Sequence, residues 1–179
     1  LEQRGLLHAV VEINDQAVHC IVVHLGLFAG GRVRQTQALV QRIKELVPEG
    51  EPLIIAGDFN DWSNKLAPLF VEELSLYEVF SFSPKGLDKK RFKLKKPAQW
   101  LRQSFVNQGP PSHQPPELGA HGAARMTPPP RTFPAVFPWL RLDRIYQRGF
   151  AVRSARVLQG LPWTQISDHA PILTELELP

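Results

Sequence analysis

The chain has 179 residues, 43% hydrophobic and 21% charged, the proportions of one globular domain with a real core rather than of a disordered or fibrous chain. Its one cysteine, Cys20, excludes an internal disulfide, and no apolar run approaches the roughly 18 residues that a membrane span needs. The formal charge of +4 is uneven: Lys85 to Arg102 holds eight basic residues against one acid, Asp88, a surplus of seven that leaves the remainder near −3 and excludes a uniformly basic nucleic-acid binder.

In chain order, Gly5 to Ile13 and Val18 to Leu25 read as two strands. Asn14-Asp15-Gln16 between them is a turn signal, so an antiparallel hairpin is expected. In the second strand Cys20, Val22 and His24 share one face, and His24 arrives at the strand's carboxyl end, ahead of Gly26. A His in that place is either a hydrogen-bonded structural residue or a catalytic one, and the strand alone leaves both open. Arg32 to Val47 is the clearest helix, with Val33, Leu39, Val40, Ile43, Leu46 and Val47 in an apolar stripe. Pro48 and Gly50 end it. The Arg34-x-x-Gln37 pattern inside it is read as structural.

Leu53 to Ala56 is a short apolar run without a polar residue, read as a strand buried on both faces. The turn after it carries Asp58, Asn60 and Asp61, three polar side chains within four positions. Strands of α/β proteins build sites at their carboxyl ends in this way, although an Asx turn capping its own backbone fits as well. Ser63 or Asn64 is positioned to cap a second helix running to about Leu74.

Residues 83–130 depart from the pattern of folded elements. They begin basic and end rich in Pro, Gly and Ala, including Pro128-Pro129-Pro130. Too little apolar side chain is present to offset the ordering entropy, so a disordered insertion is expected, with a short helix over Pro97 to Val106 at most. The segment from Lys85 to Arg102 is either a solvated loop or a contact for an anionic surface, nucleic acid or lipid. Leu140 to Arg148 then reads as a strand. An acid inside a strand is costly unless paired, so Asp143 requires a partner, and Arg144 points to the opposite face. Ser167-Asp168-His169-Ala170-Pro171 leads into a last strand, Ile172 to Leu178.

Four short motifs thus follow one another, each at a strand edge: Val23-His24-Leu25, Gly57-Asp58-Phe59-Asn60, Leu142-Asp143-Arg144-Ile145 and Ser167-Asp168-His169. In that order they resemble the endonuclease/exonuclease/phosphatase superfamily, the deoxyribonuclease I-like metal-dependent phosphoesterases. The resemblance implies an α/β (α+β) fold, a two-sheet β-sandwich flanked by helices, and a single domain over residues 1–179. It also implies a gap, because the superfamily opens with an Asn at the end of its first strand and a metal-binding Glu, and nothing before Gly5 supplies them. Glu2 is a poor substitute. The chain therefore reads as the C-terminal portion of a domain whose first strands are missing, and its hairpin is expected to leave apolar surface exposed. With Leu1 rather than Met at the start, the true N-terminus is expected upstream. No signal-like start is visible, which points to the cytoplasm.

The same resemblance assigns roles. Asp58 orients or deprotonates the attacking water, Asn60 bonds a phosphate oxygen or the nucleophile, and His24 stabilises charge on the phosphoryl group. His169 is the base or phosphate contact, held by Asp143. Asp168, with Asp58, lies at the metal, expected to be Mg²⁺ with Mn²⁺ as the alternative. The implied substrate is a phosphate ester: nucleic acid, phospholipid or inositol phosphate. Two other readings stay open, an inactive fragment or pseudoenzyme that keeps phosphate or metal binding, and a polybasic binding module working through residues 85–102.

Overall fold

The computed structural model describes residues 4–81 and 128–179. The insertion at 83–130, its helix at Pro97 to Val106 and the basic stretch from Lys85 to Arg102 lie outside the described residues, apart from Pro128 to Pro130.

The described chain folds as two sheets with helices. Strands β1 (Leu6–Ile13) and β2 (Gln16–His24) form the expected hairpin, turning through Asn14 and Asp15, both at positive φ (51° and 63°). That is the two-residue turn whose twist matches antiparallel strands, and Asn and Asp tolerate it. Helix α1 (Ala29–Leu46) starts three residues earlier than the apolar stripe indicates. It returns the chain to β3 (Leu53–Asp58), which pairs parallel to β2. Leu53 and Ile55 of β3 are fully buried while Ile54 and Ala56 are half-buried, so only one face is a true core face. Helix α2 (Ala67–Leu74) is shorter than expected: its first turn is held by the Asp61 carboxylate, which accepts from Leu66 N at 2.8 Å, not by Ser63 or Asn64.

Strand β4 (Tyr77–Glu78) and β5 (Asp143–Arg148) complete a five-stranded sheet in the order β1-β2-β3-β5-β4. Strands β6 (Ala151–Val157) and β7 (Ile172–Glu177), with the short α3 (Trp163–Ile166) between them, make a second, two-stranded sheet. Neither β4 nor β6 was legible beforehand; Val152 to Val157 interrupts its apolar residues with Arg153, Ser154 and Arg156. The core lies between the five-stranded sheet and the helices: Ile21, Val23, Ile55, Leu39, Ile43 and Phe70, closed by Phe59 and Tyr146 packed edge to face at 5.3 Å.

The β1 edge is the open side. Leu7, Val10, Val11, Ile13 and Val22 are exposed. At the far end of the sheet from His24, the His8 and His19 rings stack and bond at 2.9 Å, and His19 continues to Glu51 at 2.7 Å.

Candidate active site

The site begins with register. His24 stands opposite Asp58 in the β2–β3 ladder, and Asp58 stands opposite Asp143 in the β3–β5 ladder. Three candidate side chains therefore form one row across three neighbouring strands, spaced by the roughly 4.8 Å between strands. Gly57 permits the close approach. Its φ is +143°, and a Cβ added there would meet the Val23 carbonyl oxygen at 1.9 Å, so no other residue fits.

Asp58 is 16% exposed at its side chain. Its Oδ1 accepts from Asn60 N at 2.8 Å, and its Oδ2 lies 3.5 Å from His24 Nε2. Burial raises the Asp58 pKa and the Asp143 charge adds to the rise, against the lowering effects of the Asn60 hydrogen bond, His169 and His24. Asn60 sits at φ 50° and is buried, its Nδ2 donating to Leu25 O at 2.8 Å. Part of its amide is thus spent on holding the β3 turn to the end of β2. His24 is more open, and Arg4 approaches its Nδ1 at 3.0 Å. Because a guanidinium only donates, that nitrogen accepts and the His24 proton belongs on Nε2, toward Asp58.

Opposite them, His169 Nδ1 bonds Asp143 Oδ2 at 2.9 Å. Burial pulls the His169 pKa down, but the hydrogen bond and charge of Asp143, with the charges of Asp58 and Asp168, outweigh it and the net shift is upward. His169 is fixed from three further directions. Its N–H donates to Ser167 Oγ at 3.0 Å, the Phe133 ring lies 4.9 Å away, and the turn before it is tied down by Ala135 N to Asp168 O. Asp168 itself is exposed and does not line the cleft of about 280 Å³ formed by His24, Asp58, Asn60 and His169. The walls of that cleft are Leu27 and Trp62 on one side and Phe133, Leu140 and Leu142 on the other.

Several supports were not foreseen. Arg144 is 1% exposed and does point away from the Asp143 carboxylate, yet its NH1 donates to Asp143 O at 2.9 Å and its NH2 to Asp61 O at 2.8 Å. One buried guanidinium thus clamps the β3 turn to the start of β5. Glu78 is its buried counter-charge; burial, resisted by Arg144, pushes the Glu78 carboxyl up to about 7. In α1 the structural Arg-x-x-Gln pair is Arg32 and Gln35, two positions before Arg34 and Gln37. Arg32 NH1 donates to Leu27 O at 2.7 Å, Gln35 Oε1 accepts from Gly26 N at 2.8 Å, and the Arg32 guanidinium lies 5.4 Å from the Trp62 ring centroid. An i, i+3 pattern that recurs two residues later is ambiguous until burial decides it.

Among the described residues no three His, Cys, Asp or Glu side chains gather as a metal cluster. Of the two carboxylates expected at a metal, Asp58 lines the cleft and Asp168 lies outside it; a hard cation that keeps several waters needs only one or two such ligands. The upward pull of Asp143 on the Asp58 pKa is a repulsion that such a cation relieves.

Compared with known proteins, residues 5–169 match the Endonuclease/Exonuclease/phosphatase family. The "Uncharacterized protein YbhP" of Escherichia coli (strain K12) is 32% identical over 179 residues, 99% of this chain and 54% of that protein. The chain spans about half the length of the curated relatives it matches. Among solved structures, the endonuclease/exonuclease/phosphatase from Bacteroides vulgatus superposes with a TM-score of 0.62 at 19% identity, over 98% of this chain and 56% of that one. A humanized D. rerio TDP2 carrying 14 mutations gives 0.59 at 19%, over 97% and 61%. At these identities the likeness is one of fold.

Proposed function

This chain belongs to the Endonuclease/Exonuclease/phosphatase family, and from that premise we propose that it hydrolyses phosphate esters in the cleft between His24, Asp58 and His169. The observation that carries the reading is the 2.9 Å bond from Asp143 to His169, directly across the ladder from Asp58.

The chemistry follows from the ester. Its anionic oxygens repel a nucleophile, so positive charge must meet them and a water must be held in line. His169, whose protonated form Asp143 favours, supplies charge and a proton on Nε2 when protonated, because Nδ1 is engaged by the carboxylate. Asp58, its pKa raised chiefly by burial, orients the attacking water and accepts its proton. His24, with Arg4 on its Nδ1, carries its proton on Nε2 between Asp58 Oδ2 and the place of a phosphoryl oxygen, and turns it to that oxygen when the ester binds. Mg²⁺, or Mn²⁺ in its place, would be held by Asp58 and Asp168 through a largely aqueous shell. When bound it neutralises charge on the phosphoryl oxygens.

The test is hydrolysis of bis(p-nitrophenyl) phosphate with Mg²⁺ and after chelation. Chelation should abolish turnover, and Asp58→Ala should lower it by roughly 10²–10³, about 3–4 kcal/mol of barrier. Near-unaltered turnover by Asp58→Ala sinks the assignment. The lack of a third metal-ligating side chain beside Asp58 among the described residues favours a second reading, phosphate binding by this stretch through its histidines without turnover. Isothermal titration with inorganic phosphate separates it from the first: binding with no hydrolysis at any Mg²⁺ concentration.

A further inference from the structure

Large apolar side chains left in water follow, along the chain, the apolar residues that line the cleft. On one side stand Leu27, Trp62 and Phe28, the last 79% exposed. On the other, the 133–140 hairpin, closed by the Phe133–Leu140 bridge, presents Val136 at 80%, Phe137 at 77% and exposed Trp139 at its tip. Leu161 and Ile166 are exposed as well, in the segment that leads to Ser167. Such a set exceeds the scattered apolar residues of an ordinary surface and marks an interaction site.

Two observations say what it meets. The first is position: both walls run down into the lining of one cleft whose floor is His24, Asp58, Asn60 and His169. Apolar walls above a phosphate-handling floor match an amphiphile, with its headgroup inward and its hydrocarbon outward. The second is charge. Segments 25–34 and 131–141 contain four arginines and no Asp or Glu; Arg34 and Arg131 are exposed, Arg32 is buried, and the exposed acid Asp168 follows the third segment, 158–167. Apolar tips with arginines behind them are what an anionic bilayer interface attracts, and Trp favours the headgroup level. A single-stranded nucleic acid would stack its bases on aromatic rings along a basic groove. Leu27, Val136, Leu161 and Ile166 offer no ring to stack on, while they suit hydrocarbon.

We propose that the rim of the cleft is a docking surface for an anionic lipid bilayer, which brings the phosphate of a lipid headgroup to the cleft. The docking surface stands on its own observations; that the headgroup is then hydrolysed rests on the phosphoesterase reading above.

The experiment is co-sedimentation of the full chain with large vesicles of phosphatidylcholine alone and of phosphatidylcholine with one third phosphatidylglycerol, beside a gel-shift with a single-stranded oligonucleotide. The unaltered chain should sediment with the anionic vesicles. The double variant Phe137→Ser, Trp139→Ser should partition at least tenfold more weakly with an unchanged melting temperature, since both side chains are exposed. Equal partitioning of the two proteins, or retention by the oligonucleotide but not the vesicles, overturns the proposal. Soluble-ester hydrolysis reads the chemistry separately. Turnover without vesicle binding removes the docking surface and leaves the phosphoesterase reading standing. Vesicle binding without turnover upholds the surface and removes the other.

Discussion

Asp58 and Asp143 face each other across the β3–β5 ladder, two carboxylates held near one another by backbone pairing rather than by side-chain choice. Each is relieved differently. Asp143 takes His169, and Asp58 takes the Asn60 amide and the nearby His24. Their repulsion is one cause of the raised Asp58 pKa, and it makes the pH behaviour of the site predictable.

The Asp143–His169 pair should show in titration and in stability. The folded-state pKa of His169 lies above its unfolded value, so the stabilisation from the pair is fully present below about pH 6.5 and is lost as pH rises through the folded value. Asp143→Asn should lower the His169 pKa, read by NMR of the imidazole ring protons. The gap in melting temperature between the two proteins should be widest near pH 5 and narrower above the folded value. A His169 titration unmoved by Asp143→Asn contradicts the pairing.

Asp58→Asn should separate stability from activity. Because the folded state raises the Asp58 pKa, chiefly by burial, its ionised form weighs against folding at every pH above that raised value. An amide keeps the acceptor for Asn60 N and removes the charge. Thermal melts at pH 7–8 should therefore show the variant equal to or above the parent, while ester hydrolysis falls by roughly 10²–10³. A lower melting temperature would show that the charge is paired more strongly than the geometry implies.

Glu78 acts with the same sign as His169, in a lower window. Its carboxyl is pushed up to about 7 from the ordinary 4.5, so the folded state binds a proton that the unfolded state has lost between those values. Stability should fall as pH rises from 4.5 to 7, by roughly 3 kcal/mol, and level off beyond. Glu78→Gln should flatten that slope in urea melts taken across the window.

Arg144→Met should be among the most destabilising single changes. It leaves the carbonyls of Asp61 and Asp143 without their guanidinium donors and removes the charge that holds the Glu78 pKa down, a loss of about 3–5 kcal/mol. Combined with Glu78→Gln the cost should be less than the sum, a coupling that a double-mutant cycle in urea measures.

The local parts of the site were legible in the sequence because each lies within a few residues: the apolar run before Asp58, the His ending β2, the acid inside β5. That Asp143 meets His169 was reachable only through resemblance and through the cost of an unpaired strand acid, since 26 residues separate the two. Arg144 shows what stays hidden. Its alternation places it correctly on the core face, but nothing local says that its donors go to the carbonyls of Asp61 and Asp143, because backbone acceptors have no signature in sequence. Strand β6 was missed for a related reason: with one face half-solvated, its Arg153, Ser154 and Arg156 blur the period-two signal.

Gly57 carries a genetic consequence. Every missense change in a glycine codon adds at least a Cβ, and here that carbon would land 1.9 Å from the Val23 carbonyl oxygen. The codon therefore has no viable missense neighbour, only its synonyms, one base away. In a saturation library selected for folded, working protein, position 57 should return glycine from every surviving clone, while exposed positions such as Val136 drift freely unless the selection includes a membrane.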